Sequence, residues 1–587
     1  MNNININKIL QTTITHIKKH KLLYIGLIII IIIQLNSFSS LNYLPGPLYG
    51  GDVYRERGFT EHIYQGYPIC EDPQIQGEVA FRPQFSYMLV AGLSHLGLGT
   101  IDRIFLYVML LSTVICTLTV YLIAQKISKK IYIAAISTYI YYGINFIPSV
   151  KPTASLGFAF LLLFIYYMYK VIEKGSLKNK IIAGIFIGLT SLSHLGPLIH
   201  LMIIVISIIF LEGLYVVLRN KKEFFKEIWI YIKKVLDKSL IPLIIGCSIS
   251  MAYFFPIFLL GKNKIINRVN EYALQSPEFM NILDVIKVVF QKFLNFSNVA
   301  IFIMSLIALI GLIYCILKIK NLKYRLPLFV FIGAIIASSH FLITVPLFNF
   351  WITPTHIFSI FGVIQLYFII IGLFVLLTLS KKNKIIFLSL IILIILLSSF
   401  LVFQSLNNFK DSKWTKPYFE KQPWLDEMFD FREWVLENTD KYDIFLSNDE
   451  TAFAINALTA RKMVLLRRVH ASQYVDINKR YADGFVMLYG KDLEKIKKLI
   501  NQYRVKYLVL DTYLLQNQMF TDIKYADYLS ENGIKYETGL VRWDPSVVDS
   551  QKIKSVIVPP QNITLIDNNL VKGVYKNSQM IVLELNI

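Results

Sequence analysis

KIIFLSLIILIILLSSFLVF, residues Lys384–Phe403, carries no charge after its first lysine. At about 1.5 Å per helical residue, some 20 such residues cover the roughly 30 Å of hydrocarbon in a bilayer, so the run reads as a membrane span. The same pattern recurs upstream, beginning with LLYIGLIIIIIIQL at Leu22–Leu35. Apolar windows near 21–36, 104–125, 131–147, 154–173, 181–193, 196–217, 239–260, 298–317, 326–343, 357–380 and 384–404 give about 11 spans. The fifth and sixth are separated only by Ser193, His194 and Leu195, and read as a tight hairpin or as one broken helix. Hydrophobic residues fill 55% of the 587 positions and mean hydropathy is +0.52, which assigns much of the chain to lipid. No small-residue cleavage site follows the first window, so that span is expected to stay.

Downstream of Phe403 the composition changes. From Phe409 the charges are mixed, and short β-rich runs alternate with helical ones. YDIFLS and KYLVLD read as buried strands, DETAFAINALTA and DLEKIKKLINQY as helices. SVIVPP, NITLID, VKGVYK and QMIVLELNI read as further strands. The expected organisation is a polytopic helical membrane bundle over 1–404, with a long loop at 37–103, and an α/β domain over 405–587.

The net charge of +21 follows from where the basic residues fall. Lys and Arg number 25 in the stretches 1–21, 126–130, 170–180, 219–238, 318–325 and 381–384, against 10 in the alternate loops. By the positive-inside rule this places the N-terminus in the cytoplasm of a multi-pass cell-membrane protein, with loop 37–103 and residues 405–587 sharing the outer face. Nucleic acid is excluded as the partner, because membrane lipid accounts for the basic excess. Four cysteines, three of them inside apolar spans, form neither a disulfide framework nor a metal set.

Loop 37–103 is the most acidic loop outside the C-terminal domain, with seven acids against four arginines. Gly50 and Gly51 allow a sharp turn that presents Asp52, a carboxylate suited to take a proton from an acceptor hydroxyl or amine. Arg55 and Arg57 match a phosphate with their guanidinium forks. Arg55, Glu56 and Arg57 fit equally well a solvated helix face with an Arg57–Glu61 pair. His194 reads either as lining a polar path or as a satisfied core histidine, and Trp351 as a substrate contact or a member of an aromatic belt.

Gly51-Asp52-Val53-Tyr54 after the first span, then Phe81-Arg82-Pro83-Gln84-Phe85-Ser86-Tyr87-Met88-Leu89-Val90-Ala91 leading into the second, resemble the layout of the GT-C superfamily of integral-membrane glycosyltransferases. The resemblance implies a polyprenyl-phosphate-linked sugar donor, an acceptor on the outer face, Asp52 as catalytic carboxylate and Arg82 within the substrate-binding stretch. It also implies helices of the loop lying on the outer membrane surface, and a basic residue near the lipid phosphate where His356 stands. Ile444–Lys462 resembles the strand, turn and helix at which oligosaccharyltransferase catalytic subunits carry WWDYG; only Asp449 matches, so transfer to Asn-x-Ser/Thr sequons is not implied. Asp449 alternatively caps the following helix. Related enzymes supply further acids from the next outer loop, whereas Ile147–Thr153 offers Lys151, so metal-independent chemistry without a cofactor is favoured over a divalent ion, and Lys151 stands for the ion's charge or snorkels at the interface. The rival readings are a transporter or lipid flippase, and a non-catalytic scaffold whose outer domain binds a partner.

Overall fold

The structure, a computed structural model, describes residues 15, 18–39, 44, 51–80, 82–145, 152–219, 224–259, 282–294, 296–348, 357–411, 423–472, 474–542 and 552–587. Lys151, Trp351 and His356 lie outside the described residues. The chain divides into two compact units, one of Met1–Asn42, Leu106–Met251 and Met280–Ser412, the other of Tyr43–Phe105, Ala252–Phe279 and Lys413–Ile587. Loop 37–103 thus belongs, from Tyr43 onward, with the C-terminal region.

The first unit is helical. Among the described residues, 8 helices are long and apolar enough to cross a membrane: Ile101–Ser128, Thr153–Lys174, Leu195–Arg219, Phe225–Leu259, Val299–Leu317, Leu322–Thr344, Ile360–Ser380 and Lys384–Asn407. The windows at 21–36 and 181–193 fall within the helices Lys21–Ser39 and Leu177–Ser193, and the described part of that at 131–147 forms Ile131–Asn145; none of the three is among the 8. Phe225, Ile385 and Leu396 expose large apolar side chains, as expected where lipid is the solvent. Small residues set the helix contacts. A Cβ on Gly311 would stand 1.9 Å from the Phe368 carbonyl oxygen and one on Gly372 2.0 Å from that of Ile307, so only glycine lets these two backbones meet. Charges inside this unit pair with one another: Arg325 Nε donates to Glu212 at 2.7 Å, and Lys180 reaches Asp237 at 2.9 Å.

The second unit is built on a five-stranded sheet in the order β2-β1-β3-β8-β7. Its strands are β1 (Ile444–Leu446), β2 (Lys462–Met463), β3 (Val505–Asp511), β7 (Val571–Lys576) and β8 (Met580–Leu585). β1, β2 and β3 run parallel, while β8 pairs antiparallel with β3 and β7 with β8. β4 (Met519–Asp522), β5 (Glu537–Arg542) and β6 (Lys552–Val558) form a second, antiparallel sheet ordered β4-β6-β5. Six helices matter here: α1 (Asp52–Tyr64), α2 (Phe85–His95), α3 (Pro423–Asn438), α4 (Asp449–Thr459), α5 (Ile477–Tyr489) and α6 (Leu493–Tyr503).

NITLID, expected as a strand, instead forms a single helical turn at Thr564–Asp567. Pro559 and Pro560 have no N–H to give a ladder, so pairing stops at Val558. The turn is then fixed by burial of Leu565 and by the Thr564 hydroxyl, which donates to the Gly490 carbonyl at 2.7 Å.

β1 leads through α4 to β2 on one side of the sheet, and β3 lies on its other side, so the strand order reverses at β1. In open α/β sheets such a reversal leaves a crevice at the carboxyl ends of the strands. Asn448 marks that end of β1: its side-chain oxygen accepts from the Glu450 and Thr451 amides, and its amide donates to Asp511 at the end of β3 at 2.9 Å. The cap of α4 is therefore Asn448, and Asp449, expected as either cap or site residue, occupies the first helical position.

Candidate functional site

α1 begins directly after Gly51, whose extended backbone (φ −127°) turns the chain in. Asp52 thus sits in the first turn, where the helix dipole favours a negative charge. From Val53 to His62 every residue of α1 is buried. The solvated helix face expected for Arg55, Glu56 and Arg57 is therefore not what folds: the Arg57–Glu61 pair forms at 3.3 Å, but inside the unit. α1 buries itself against α4, and the approach is close. A Cβ on Gly58 would lie 2.9 Å from Ala457 Cα and 3.1 Å from the Asn456 carbonyl oxygen. Gly58→Val is expected to destabilise the unit by about 1–3 kcal/mol through overpacking, read as earlier thermal unfolding; Gly66→Val, at an open turn, is the wrong control because its φ is +74°, whereas the unconfined helical Gly92 gives a fair one.

Asp52 remains the partly open member, its side chain 29% exposed while those of Arg55 and His470 are 5% and 10%. Its Oδ1 lies 3.2 Å from Arg55 Nη2 and 3.0 Å from His470 Nε2. Burial first, and then the Arg55 charge, push the His470 imidazole down to about 3, against the pull of Asp52. At neutral pH the ring is uncharged, so the contact is a hydrogen bond from Nε2–H to the carboxylate. Its Nδ1 is buried without a hydrogen-bond partner, and the ring packs on Phe453 of α4 at 4.9 Å between centroids. Arg82 belongs to the same charge cluster. Burial and the neighbouring Arg55 lower its guanidinium to about 10, with Tyr87, Asp52 and Glu56 opposing, and it stays cationic.

A second layer holds His470 in place. Arg467 forks onto Glu450, Nε to Oε1 at 2.8 Å, with its guanidinium carbon 4.0 Å from the Phe453 ring centre. Arg468 stacks 3.6 Å over Tyr481, whose hydroxyl donates to Asp449 at 2.6 Å. Asp449 is thereby tied to Tyr481 rather than to Asp52. Arg57 is likewise committed to the protein: Nε meets Asp102 at 2.9 Å and Nη1 donates to the Ala457 carbonyl at 2.8 Å, which closes the C-terminal end of α4. His194 lies in the other unit. It is the extended residue between Leu177–Ser193 and Leu195–Arg219, and its Nδ1 accepts from the Gly196 amide at 3.0 Å.

The structure thus brings Asp52, Arg55, Glu56 and Arg82 together and adds His470. Sequence reading missed His470 and its support from Arg467; the one signal was the basic run Arg467-Arg468-Val469-His470 directly after the apolar run Met463–Leu466. Among the described residues no three His, Cys, Asp or Glu side chains converge as a metal set.

The buried histidines set a pH dependence. His470 and His62, the latter also near 3 through burial and Lys462, have folded values below the unfolded value near 6.5. Between about 3 and 6.5 the unfolded chain binds more protons, so stability is present above pH 6.5 and falls as the pH drops through that window. Asp72 opposes this: burial raises its carboxyl to about 6, so its contribution is present below about 4 and lost as pH rises toward 6. Unfolding of the wild type and of His470→Gln, followed from pH 7 to 4, should differ in slope by up to about 1.4 kcal/mol per pH unit, with the wild type losing more. Equal slopes would show that His470 titrates normally.

No family model matches the chain. Over 91 residues it is 33% identical to an uncharacterized protein of Methanocaldococcus jannaschii, a match spanning 67% of that protein and 15% of this chain. The chain belongs to the same family as that protein. Among solved structures it is similar to an Archaeoglobus fulgidus oligosaccharyltransferase tethered to an acceptor peptide containing the NVT sequon, with TM-score 0.49 and 14% identity over 93% of this chain and 76% of that one. It is also similar to the same organism's oligosaccharyltransferase in complex with an inhibitory peptide and a dolichol-phosphate (TM-score 0.47, 13% identity, 96% and 80% covered). A third similar structure is ArnT from Cupriavidus metallidurans bound to undecaprenyl phosphate (TM-score 0.43, 10% identity, 91% and 99% covered). These are GT-C glycosyltransferases, the superfamily that the sequence resembles. At such scores the likeness carries no argument about this chain, and the functional reading rests on the residues of the second unit.

Proposed function

We propose that the chain is a membrane glycosyltransferase that moves a sugar from a polyprenyl-phosphate-linked donor to an acceptor, with Asp52 as general base. One observation carries this: in a helix buried from Val53 to His62, the carboxylate that opens it is still 29% exposed and lies among Arg55, Arg82 and a neutral His470.

In this reading Asp52 takes the proton of the acceptor hydroxyl or amine as that group attacks the anomeric carbon. The bond from that carbon to the phosphate oxygen breaks, its electron pair leaving with the polyprenyl phosphate. Single displacement inverts the anomeric centre. The growing negative charge is met by Arg55 and Arg82, fixed cations in a site where little reorganisation is needed. His470 holds the carboxylate's orientation through Nε2–H. The cytoplasmic N-terminus and an outer location for the reaction complete the proposal, supported by the distribution of Lys and Arg.

The transporter reading finds less support, because the described charges within the helical unit, Arg325 with Glu212 and Lys180 with Asp237, are paired with each other. The purified full chain, given a labelled polyprenyl-phosphate sugar and a mixture of glycan, lipid and peptide acceptors, should release free polyprenyl phosphate in step with labelled product. Labelled donor that crosses a vesicle membrane unchanged, with no product, would favour the flippase instead.

A further inference from the structure

A second concavity of about 250 Å³ lies within the second unit and is lined by none of the residues around Asp52. One wall is the loop 71–80. Asp72 accepts from the Gln74 and Ile75 amides at 2.8 Å each, the Met463 amide of β2 donates to the Gln74 carbonyl at 3.0 Å, and a bridge between Glu71 and Val79 closes the loop's base. Gly77, at φ +73°, reverses the chain at its tip, so Gln76 and Gly77 are held over the edge of β2 and β1. The facing wall is Arg480 of α5 and the end of α6, Gln502 to Arg504, where Arg504 takes the left-handed conformation (φ +53°) that stops the helix.

The two arginines differ from the paired arginines of this unit. Arg55, Arg57, Arg432, Arg461, Arg467 and Arg468 each meet a carboxylate, a carbonyl or a side-chain oxygen. Among the described residues Arg480 and Arg504 make no side-chain hydrogen bond and no ion pair. Asp483, the acid on the helical turn after Arg480, is occupied by Lys479 and by the hydroxyls of Tyr503 and Tyr528. Tyr503, fixed by that bond, places its ring 5.0 Å from the Arg480 guanidinium carbon and holds it by one face. Burial is the main influence on Arg480 and lowers its value, only partly offset by Tyr503, Glu78, Asp72 and Asp483. A desolvated cation without a paired anion is costly, and an arriving oxyanion would remove that cost.

We propose that this concavity is a binding site for a small oxyanion, a carboxylate or a phosphate ester, with Arg480 and Arg504 supplying the charge and Gln76 and Gln502 flanking the neutral part of the ligand. Its volume is below the roughly 300–1,000 Å³ of drug-sized sites, so it admits one charged group with at most a single sugar ring. The site does not depend on Asp52 being catalytic.

The test is titration calorimetry on the full chain in detergent at fixed ionic strength, with inorganic phosphate, glucuronate and glucose as separate probes. Saturable binding of one or both anions and none of glucose is expected; which anion binds tells phosphate from carboxylate. Arg480→Gln and Arg504→Gln should each weaken that binding at least tenfold. Arg504 is exposed, so its variant reports the site without risk to the fold. Absence of saturable binding, or binding that survives both substitutions, overturns the proposal. Asp52→Asn should leave anion binding unchanged whatever it does to sugar transfer, and a loss there would move the anion to the other cluster and equally overturn it.

Discussion

Asp52→Asn lowers sugar transfer by about 10²- to 10⁴-fold, the range that general-base groups contribute, and does so in kcat with KM nearly unchanged. The substitution keeps the shape of the side chain. The amide oxygen still accepts from His470 Nε2–H, so the contact at 3.0 Å survives and the start of α1 is not displaced. What is lost is the capacity to bind the acceptor's proton. Arg55, itself 5% exposed, loses an ion pair at 3.2 Å whose other member is 29% exposed, so the cost lies between the roughly 0–1 kcal/mol of exposed pairs and the roughly 3–5 kcal/mol of buried ones. The melting temperature is therefore measured beside the rate, which is compared at a temperature where both proteins are folded. Asp52→Ala would confuse these effects, since it also opens a space beside His470. If Asp52→Asn transfers sugar at the wild-type rate in folded protein, the base lies elsewhere and the exposed carboxylate is only a favourable first-turn charge.

How much of this was legible in the sequence depends on what kind of signal each residue carries. The spans were legible because lipid demands uninterrupted apolar length, and length is visible in one dimension. Their number was less so: Ile131–Asn145 and Leu177–Ser193 are apolar but short, and only packing decides what a short apolar helix does. β1, β3, α4 and α6 were legible through periodicity and through capping residues such as Asp492, whose side chain accepts from the Glu494 and Lys495 amides. Asp52 stood out because glycines precede it. The character of α1 was hidden, since Arg55, Glu56, Arg57 and Glu61 at helical spacing read as a wet face unless one knows that α4, some 400 residues later, covers them. His470 was hidden for the same reason: its link to Asp52 spans 418 positions, and no local pattern reports so distant a partner.

That covered helix leads to the largest expected change in stability. Arg57→Ala should cost about 3–5 kcal/mol, the range for removing one partner of a buried ion pair, against 0–1 kcal/mol for an exposed pair. The Arg57 side chain is 4% exposed and that of Glu61 1%. Burial alone would lower the Arg57 guanidinium, yet Asp102 and Glu61 outweigh it and hold the cation firmly charged. Alanine would leave Glu61 with Arg432 at 3.5 Å and Gln65 at 2.9 Å, would strip Asp102 of its contact at 2.9 Å, and would take the Arg57 donor from the Ala457 carbonyl at the end of α4, the Leu458 carbonyl keeping Arg432 Nε at 3.0 Å. A cation there also complements the negative end of that helix. Arg57→Lys should recover only part, because an ammonium has no fork with which to meet carboxylates and carbonyls together. The measurement is thermal unfolding of the full chain in detergent, where a loss of this size lowers the transition by on the order of 10 °C for a domain of this length. Lys497→Ala, which breaks the exposed Lys497–Glu494 pair at 3.2 Å, is the reference. A shift in Arg57→Ala no larger than in Lys497→Ala would mean that α1 is not clamped to α4, and with it the placement of Asp52 beside His470 would fail.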